Sequence, residues 1–336
     1  MELSDLDKRV LTRIQAGFPI GSRPYAALGE YLGVSEAEAL ASVDGLREAG
    51  VIRRIGAIFD SNRLGYRSTL CAIAAPPERV DEVAAVVSAY PNVTHNYLRE
   101  DRYNIWFTLI ARSQARIAEI LAEIASATGV TDILDLPAIR LFKIRVDFDL
   151  TGEKAARSAE LGVVKPAEVK PVELSEDERR LAVLLQADLP RSETPFLELH
   201  EMLEHGGVDV GEEWVLERTR HWVDTGLIRR FGAAIRHHKT GFTANAMGVW
   251  RCPEERVEDA GRAMATFAEV SHVYQRPVAP TWPANLYTMI HGRSEQEVEE
   301  TAERIRAAVD LPAPRLLYSV REFKKTSMTY FAEDGL

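Results

Sequence analysis

Gly50-Val-Ile-Arg-Arg-Ile-Gly56 returns as Gly226-Leu-Ile-Arg-Arg-Phe-Gly232, with Gly65 and Gly241 at the same further spacing. Working outward, Val93-Thr-His95-Asn-Tyr97-Leu-Arg99 returns as Val270-Ser-His272-Val-Tyr274-Gln-Arg276. Asn104-Ile-Trp106-Phe returns as Asn285-Leu-Tyr287-Thr. The register drifts by a few residues only, so the chain is one module written twice with small loop insertions.

The hydrophobic spacing gives the module its elements. In copy one, helices are predicted over 4–16, 24–32 and 35–49, with Ser4 and Ser35 as N-caps and Gly50 as a stop. A short hairpin wing follows from Val51, then a strand within Tyr66–Ala75. The order after the wing is strand, helix, strand, strand, helix, strand, placed at 69–75, 78–89, 93–99, 104–111, 113–127 and 131–145. Copy two repeats this with helices at 175–187, 195–205 and 211–225 and a wing at 227–236. Its later elements fall at 243–251, 254–267, 270–276, 285–291, 294–309 and 314–325. The fold class is α+β, a tandem duplication of a winged helix-turn-helix plus a ferredoxin-like βαββαβ unit. The expected domains are 1–65 and 66–150, a linker at 151–172 rich in Lys, Ala, Glu and Pro, then 173–241 and 242–336. Each ferredoxin-like sheet carries both helices on one face, so its other face needs a cover.

Composition excludes several classes. The 336 residues carry a net charge of −10, which argues against a protein that coats nucleic acid. The acidic start Met1-Glu-Leu-Ser-Asp-Leu-Asp7 is unlike a signal peptide, and no apolar run reaches membrane-spanning length, so a cytoplasmic protein without membrane contact is expected. Cys71 and Cys252 occupy non-equivalent places, which points away from a disulfide or a Cys-rich metal site.

This domain pair resembles the Lrp/AsnC family of transcription regulators, whose second domain dimerises through its open sheet face; two fused copies would make that dimer within one chain. The helices that would read DNA disagree with a regulator. The third helix of copy one has Glu36, Glu38, Asp44 and Glu48 against Arg47. Its counterpart has Glu212, Glu213, Glu217 and Asp224 against Arg218 and Arg220. Both would repel phosphate, so nucleic acid is an unexpected partner.

On a strand, alternate residues share a face. This places Val93, His95, Tyr97 and Arg99 together, and likewise Val270, His272, Tyr274 and Arg276, with Asn104, Trp106, Asn285 and Tyr287 on the paired strands. A structural histidine beside an aromatic core stripe is the bland alternative. Against it, His, Tyr and Arg together are costly to bury unpaired. Arg53-Arg54 and Arg229-Arg230 add cations at the wings, where one of each pair faces inward and the planar fork suits carboxylates. Arg63, Arg67, Lys143, Arg236, Lys239 and Lys324 are further positive candidates.

These motifs, and Trp282-Pro-Ala-Asn285-Leu-Tyr-Thr-Met-Ile-His291-Gly, resemble the siroheme decarboxylases within the Lrp/AsnC-like fold, over nearly the whole chain except the linker. The resemblance implies two subunit types fused, as in heme d1 biosynthesis, with an alternative supply of heme b. The implied reaction removes carbon dioxide from the C12 and C18 acetates of siroheme to give 12,18-didecarboxysiroheme, with no cofactor beyond the iron tetrapyrrole substrate. His95 and His272 are then the proton donors or an axial ligand of the substrate iron, with the two roles open between them. Tyr97 and Tyr274 support them. Arg53, Arg54, Arg229, Arg230, Arg99 and Arg276, with Trp106, Asn104, Asn285 and Tyr287, bind substrate. His237, His238 and His291 are secondary candidates, and His200, His205 and His221 are read as scaffold. A homodimer of fused chains is expected. Other classes remain as alternatives: a DNA-binding regulator, or a heme carrier that binds without transforming. Seven of the eight histidines lie in copy two, which also inserts Pro277–Pro283, so copy two is read as the principal holder of the tetrapyrrole.

Overall fold

The structure, a computed structural model, describes residues 3–144, 163–235 and 244–332. Capping boxes start α1 (Asp5–Ala16) at Ser4 with Asp7, and α3 (Glu36–Glu48) at Ser35 with Glu38. Between them α2 (Pro24–Leu32) begins on proline and stops at Gly33, whose φ of 71° is left-handed. Strand β1 (Ile52–Phe59) follows. Further along the chain, α6 (Glu176–Gln186), α7 (Pro195–His205), α8 (Glu212–Asp224) and β7 (Ile228–Ile235) repeat the set.

The wings differ from the expectation. Among the described residues neither forms a hairpin: β1 and β7 pair antiparallel with each other, with Gly56 opposite Gly232. Each strand also runs beneath the first helix of the other copy. Leu189 N–H donates to the Ile55 carbonyl at 2.8 Å, and Phe18 N–H to the Phe231 carbonyl at 2.8 Å. The duplicated glycines make this approach possible. A Cβ at Gly56 would run into the Ala187 carbonyl, and one at Gly232 into the Ile14 carbonyl. One core results, in which Ile14, Leu28, Val43 and Ile55 pack with Leu185, Phe196, Trp222 and Phe231. Because backbone cannot yield as a side chain can, Gly56→Ala is expected to cost about 1–3 kcal/mol in urea denaturation. Gly45→Ala, on an open face of α3, is expected to stabilise by about 0.5–1 kcal/mol.

The ferredoxin-like units contain β2 (Arg67–Ile73), α4 (Val80–Ala89), β3 (Val93–Arg99), β4 (Ile105–Ala111), α5 (Gln114–Thr128), β5 (Ile133–Pro137) and β6 (Arg140–Ile144). Their counterparts are β8 (Ala244–Trp250), α9 (Val257–Ala265), β9 (Val270–Gln275), β10 (Leu286–Gly292), α10 (Glu295–Val309) and β11 (Arg315–Lys325). The end of each unit is shared between units: the single strand expected at 131–145 is corrected to two, β5 and β6, while the strand expected at 314–325 is the continuous β11. After β5 pairs with β2, the chain crosses and β6 pairs with β9; β11 pairs first with β8 and then with β3. The strand order is β5-β2-β4-β3-β11-β8-β10-β9-β6. Since only Ala138 and Ile139 separate β5 from β6, the two ends of that order lie within about 10 Å, and the sheet closes on itself. Each open face covers the other. Trp106, Leu134, Leu136, Met247, Trp282, Tyr287 and Leu317 fill the space between, while α4, α5, α9 and α10 cover the outside. Among the described residues no helix is long and apolar enough to cross a membrane.

Candidate active site

Two bulges aim the duplicated strands. The ladder slips between Val93 and His95 on β3, and on β9 between the partners of Met289 and Ile290. Val93 and Val270 therefore turn outward into the helix-side cores, off the face where alternation placed them. His95, Tyr97 and Arg99 face inward, as Asn96 shows by donating outward to the Ala84 carbonyl of α4 at 3.2 Å. His95 stacks on Tyr97 with centroids 6.3 Å apart, and His272 on Tyr274 at 6.1 Å. Arg99 and Arg276 lie over the same tyrosines at 5.6 and 4.6 Å.

The residue in each bulge is a hydroxyl against the histidine. Thr94 Oγ1 is 3.0 Å from His95 Nδ1, and Ser271 Oγ is 2.7 Å from His272 Nδ1. Both histidines thus keep Nε2 for a ligand. Thr94 and Ser271 were missed from sequence, although a hydroxyl residue preceding the histidine in both copies was a usable signal.

Arg99 is 4% exposed and Arg276 9%. Each donates to a carbonyl on a strand of the other unit, Arg99 to Leu317 of β11 at 2.6 Å and Arg276 to Leu136 of β5 at 2.5 Å. Each Nε is buried without a partner, and neither has a carboxylate partner among the described residues. Burial lowers the pKa of both, Arg99 to about 10. In each wing pair the first arginine, Arg53 or Arg229, is exposed and the second is half-buried. Arg54 and Arg230 are spent on the carbonyls of Ala57 and Gln15. Arg53 lies near enough to His95 for its charge to lower that pKa, and Arg229 near enough to Tyr274 to act likewise.

Other candidates are structural here. The Asn104 amide clasps both backbone groups of Ala75, and Asn285 does the same to Cys252; these are strand clamps, a correction to their placement as ligand contacts. Trp106 and Tyr287 are buried in the inner core, where Trp282 from the Pro277–Pro283 insertion donates to Tyr287 Oη at 2.8 Å and plugs the space. Arg63, Arg67, Lys143 and Lys324 donate to backbone carbonyls. Arg236, His237, His238 and Lys239 lie outside the described residues.

The halves are unequal. Beside Tyr97 stands Glu322, which accepts from its hydroxyl at 3.2 Å, and beside His95 stands Lys325; sequence reasoning had singled out neither. Leu141 and Ile144 fill those places beside Tyr274 and His272. Arg229 is neutralised by Asp60 at 2.9 Å, whereas Arg53 has no partner among the described residues. His291, on β10, reaches Ser271 at 2.7 Å; its counterpart on β4 is Ile110.

Burial lowers His95 to about 4, helped by Lys325 and Arg53 and opposed by Glu322. It lowers His272 to about 4, helped by His291, His95, Arg276 and Lys143. Both are neutral at pH 7. As pH falls, the unfolded chain takes up these protons near 6.5 and the native protein only near 4, so stability falls across that window. Each histidine is expected to account for about 3 kcal/mol, read as the difference in urea stability between wild type and the His→Gln variant at pH 7 and pH 4.

The AsnC-like ligand binding domain model matches twice, at residues 63–143 and 239–324, and the siroheme decarboxylase NirDL-like HTH domain model matches 7–53. A siroheme decarboxylase of Hydrogenobacter thermophilus is 35% identical over 334 residues, 98% of this chain and 96% of its own. The chain belongs to the siroheme decarboxylase family. The siroheme decarboxylase alpha subunit of Nitratidesulfovibrio vulgaris is 57% identical over 143 residues, 43% of this chain and 81% of its own, so a family member of a single module matches half of this one. The crystal structure of siroheme decarboxylase NirDL with an iron-uroporphyrin III analogue superposes with a TM-score of 0.75 at 32% identity, covering 98% of this chain and 96% of that one. In this decarboxylase family member the two wings pair with each other, and α3 and α8 each begin with acidic residues.

Proposed function

We propose that this chain is a carboxy-lyase that removes carbon dioxide from the C12 and C18 acetates of siroheme, giving 12,18-didecarboxysiroheme on the route to heme d1. The observation that carries this reading is the pair of buried guanidiniums, Arg99 and Arg276, each holding a backbone carbonyl and neither ion-paired to a carboxylate among the described residues. A flat tetrapyrrole ringed by carboxylates supplies the missing anions, and the His–Tyr stacks offer it apolar faces. Loss of carbon dioxide leaves an electron pair that the macrocycle delocalises, so no further cofactor is required. The former acetate carbon then takes one proton. We assign that donation to His272 and the axial contact with the substrate iron to His95, because a donor needs resupply and, of the two, His272 is the one linked to a second imidazole among the described residues. Arg53 holds a carboxylate beside His95. A homodimer in the cytoplasm completes the proposal.

Anaerobic incubation with siroheme, followed by mass analysis of the tetrapyrrole, tests it. Loss of two carbon dioxide molecules per siroheme is expected. Siroheme that binds and emerges unchanged would make the protein a carrier and overturn the enzyme reading.

A further inference from the structure

The hydroxyl of Ser271 lies between two imidazoles, 2.7 Å from His272 Nδ1 and 2.7 Å from His291 Nε2. The Met289 carbonyl is a third, more distant neighbour of that hydroxyl at 3.4 Å; when the one hydroxyl proton goes to the nearer acceptor, an imidazole, the other imidazole donates to Ser271. Two arrangements satisfy the chain. In the first, His291 Nε2–H donates to Ser271, Ser271 donates to His272 Nδ1, and His272 presents Nε2–H inward. In the second every proton has moved one place, and His272 presents a bare Nε2. Among the described residues the other half of the site has no such chain: Thr94 meets His95, and Ile110 stands where His291 does.

From this geometry we infer that Ser271 and His291 form a proton relay that supplies His272 during decarboxylation. The inference rests on the decarboxylase reading above. The step balances as follows. The C–C bond to the carboxylate breaks, carbon dioxide leaves, and the electron pair stays with the macrocycle and its side-chain carbon. That carbon takes the Nε2 proton of His272 as the Ser271 hydroxyl proton moves to Nδ1 and the His291 Nε2 proton moves to Ser271. One C–H bond forms, His291 passes from imidazolium to neutral imidazole, and His272 changes tautomer without carrying charge. Once product leaves, a solvent proton on His272 Nε2 drives the chain back. The arrangement meets a physical difficulty of the site: burial disfavours a charged imidazole at His272, so a donor there works best if the charge is held elsewhere. Ser271 and His291 are positioning residues in this scheme, since His272 alone meets the substrate.

The test is single-turnover decarboxylation of siroheme by the full chain in H2O–D2O mixtures, with siroheme affinity measured alongside by optical titration. Wild type is expected to show a curved proton inventory. Ser271→Ala is expected to slow the reaction at least about tenfold with affinity within about threefold and a linear inventory. Ser271→Thr is expected to restore both rate and curvature, because Thr94 shows that threonine fits the equivalent bulge. His291→Gln serves as a second break in the chain and is expected to match Ser271→Ala. A Ser271→Ala rate within about threefold of wild type, with the curvature kept, overturns the relay alone. So does a loss of affinity as large as the loss of rate, which would mark a structural role. No carbon dioxide from wild type overturns the decarboxylase reading and the relay with it.

Discussion

Alanine in place of His272 is expected to slow carbon dioxide loss from siroheme by about 10²–10⁴-fold, the usual worth of a positioned general acid, while siroheme still binds. His272 is partly buried at the bulge of β9, with Nδ1 held by Ser271 and the ring stacked on Tyr274. Removing it leaves Arg99, Arg276 and Arg53 to hold carboxylates, so affinity should fall far less than rate. His95→Ala is expected to differ: the optical spectrum of bound siroheme changes as its axial contact is lost, and affinity falls with it. Rate and affinity measured on both variants decide the matter. An unaltered rate in His272→Ala would remove it from the chemistry, and an unaltered spectrum in His95→Ala would remove that residue from the iron.

Arg276→Met is expected to weaken siroheme binding by about 2–5 kcal/mol, roughly 30-fold to more than 10³-fold in Kd, because it strips a desolvated charge pair of its cation. The apoprotein should respond in the opposite sense or hardly at all. An ion buried without an opposite charge costs stability, and an apolar side chain of similar volume often restores it. The loss is one hydrogen bond to the Leu136 carbonyl, worth about 1 kcal/mol. Thermal unfolding of the apoprotein within about 2 kcal/mol of wild type, beside a large loss of affinity in optical titration, is the expected pair. Heavy destabilisation with unchanged affinity would make Arg276 a structural pin only.

Much of the site was legible because duplication writes it twice. His-x-Tyr-x-Arg at alternate positions placed three candidate side chains on one face, and the structure keeps all three inward in both copies. Alternation failed at Val93 and Val270, because a bulge adds a residue without any change in composition to announce it. The same bulges bring Thr94 and Ser271 onto their histidines, a contact between sequence neighbours that a regular strand forbids. Asn104 and Asn285 were misplaced for a related reason: an amide suits a ligand or a backbone clamp equally well, and only the position of Ala75 or Cys252 decides between them.

The sequence alone determined the module, its duplication and the character of its elements, because those follow from local periodicity, capping and repeated motifs. It also determined that α3 and α8 are acidic, which needs no coordinates. Only the tertiary structure decided that the wings pair with each other, that β6 and β11 pair with strands of the other unit, and that Arg99 and Arg276 are buried without a carboxylate ion pair among the described residues. Those facts depend on which surfaces meet across more than a hundred residues of chain. The two copies share their local patterns, so each offers the other the same partners as itself; the close approach allowed by Gly56 and Gly232 settles that choice for the wings. The inequality of the two halves arises in the same way: Glu322, Lys325 and Asp60 each meet a partner more than a hundred residues away, at Tyr97, His95 and Arg229, and His291 meets Ser271 across a strand pair.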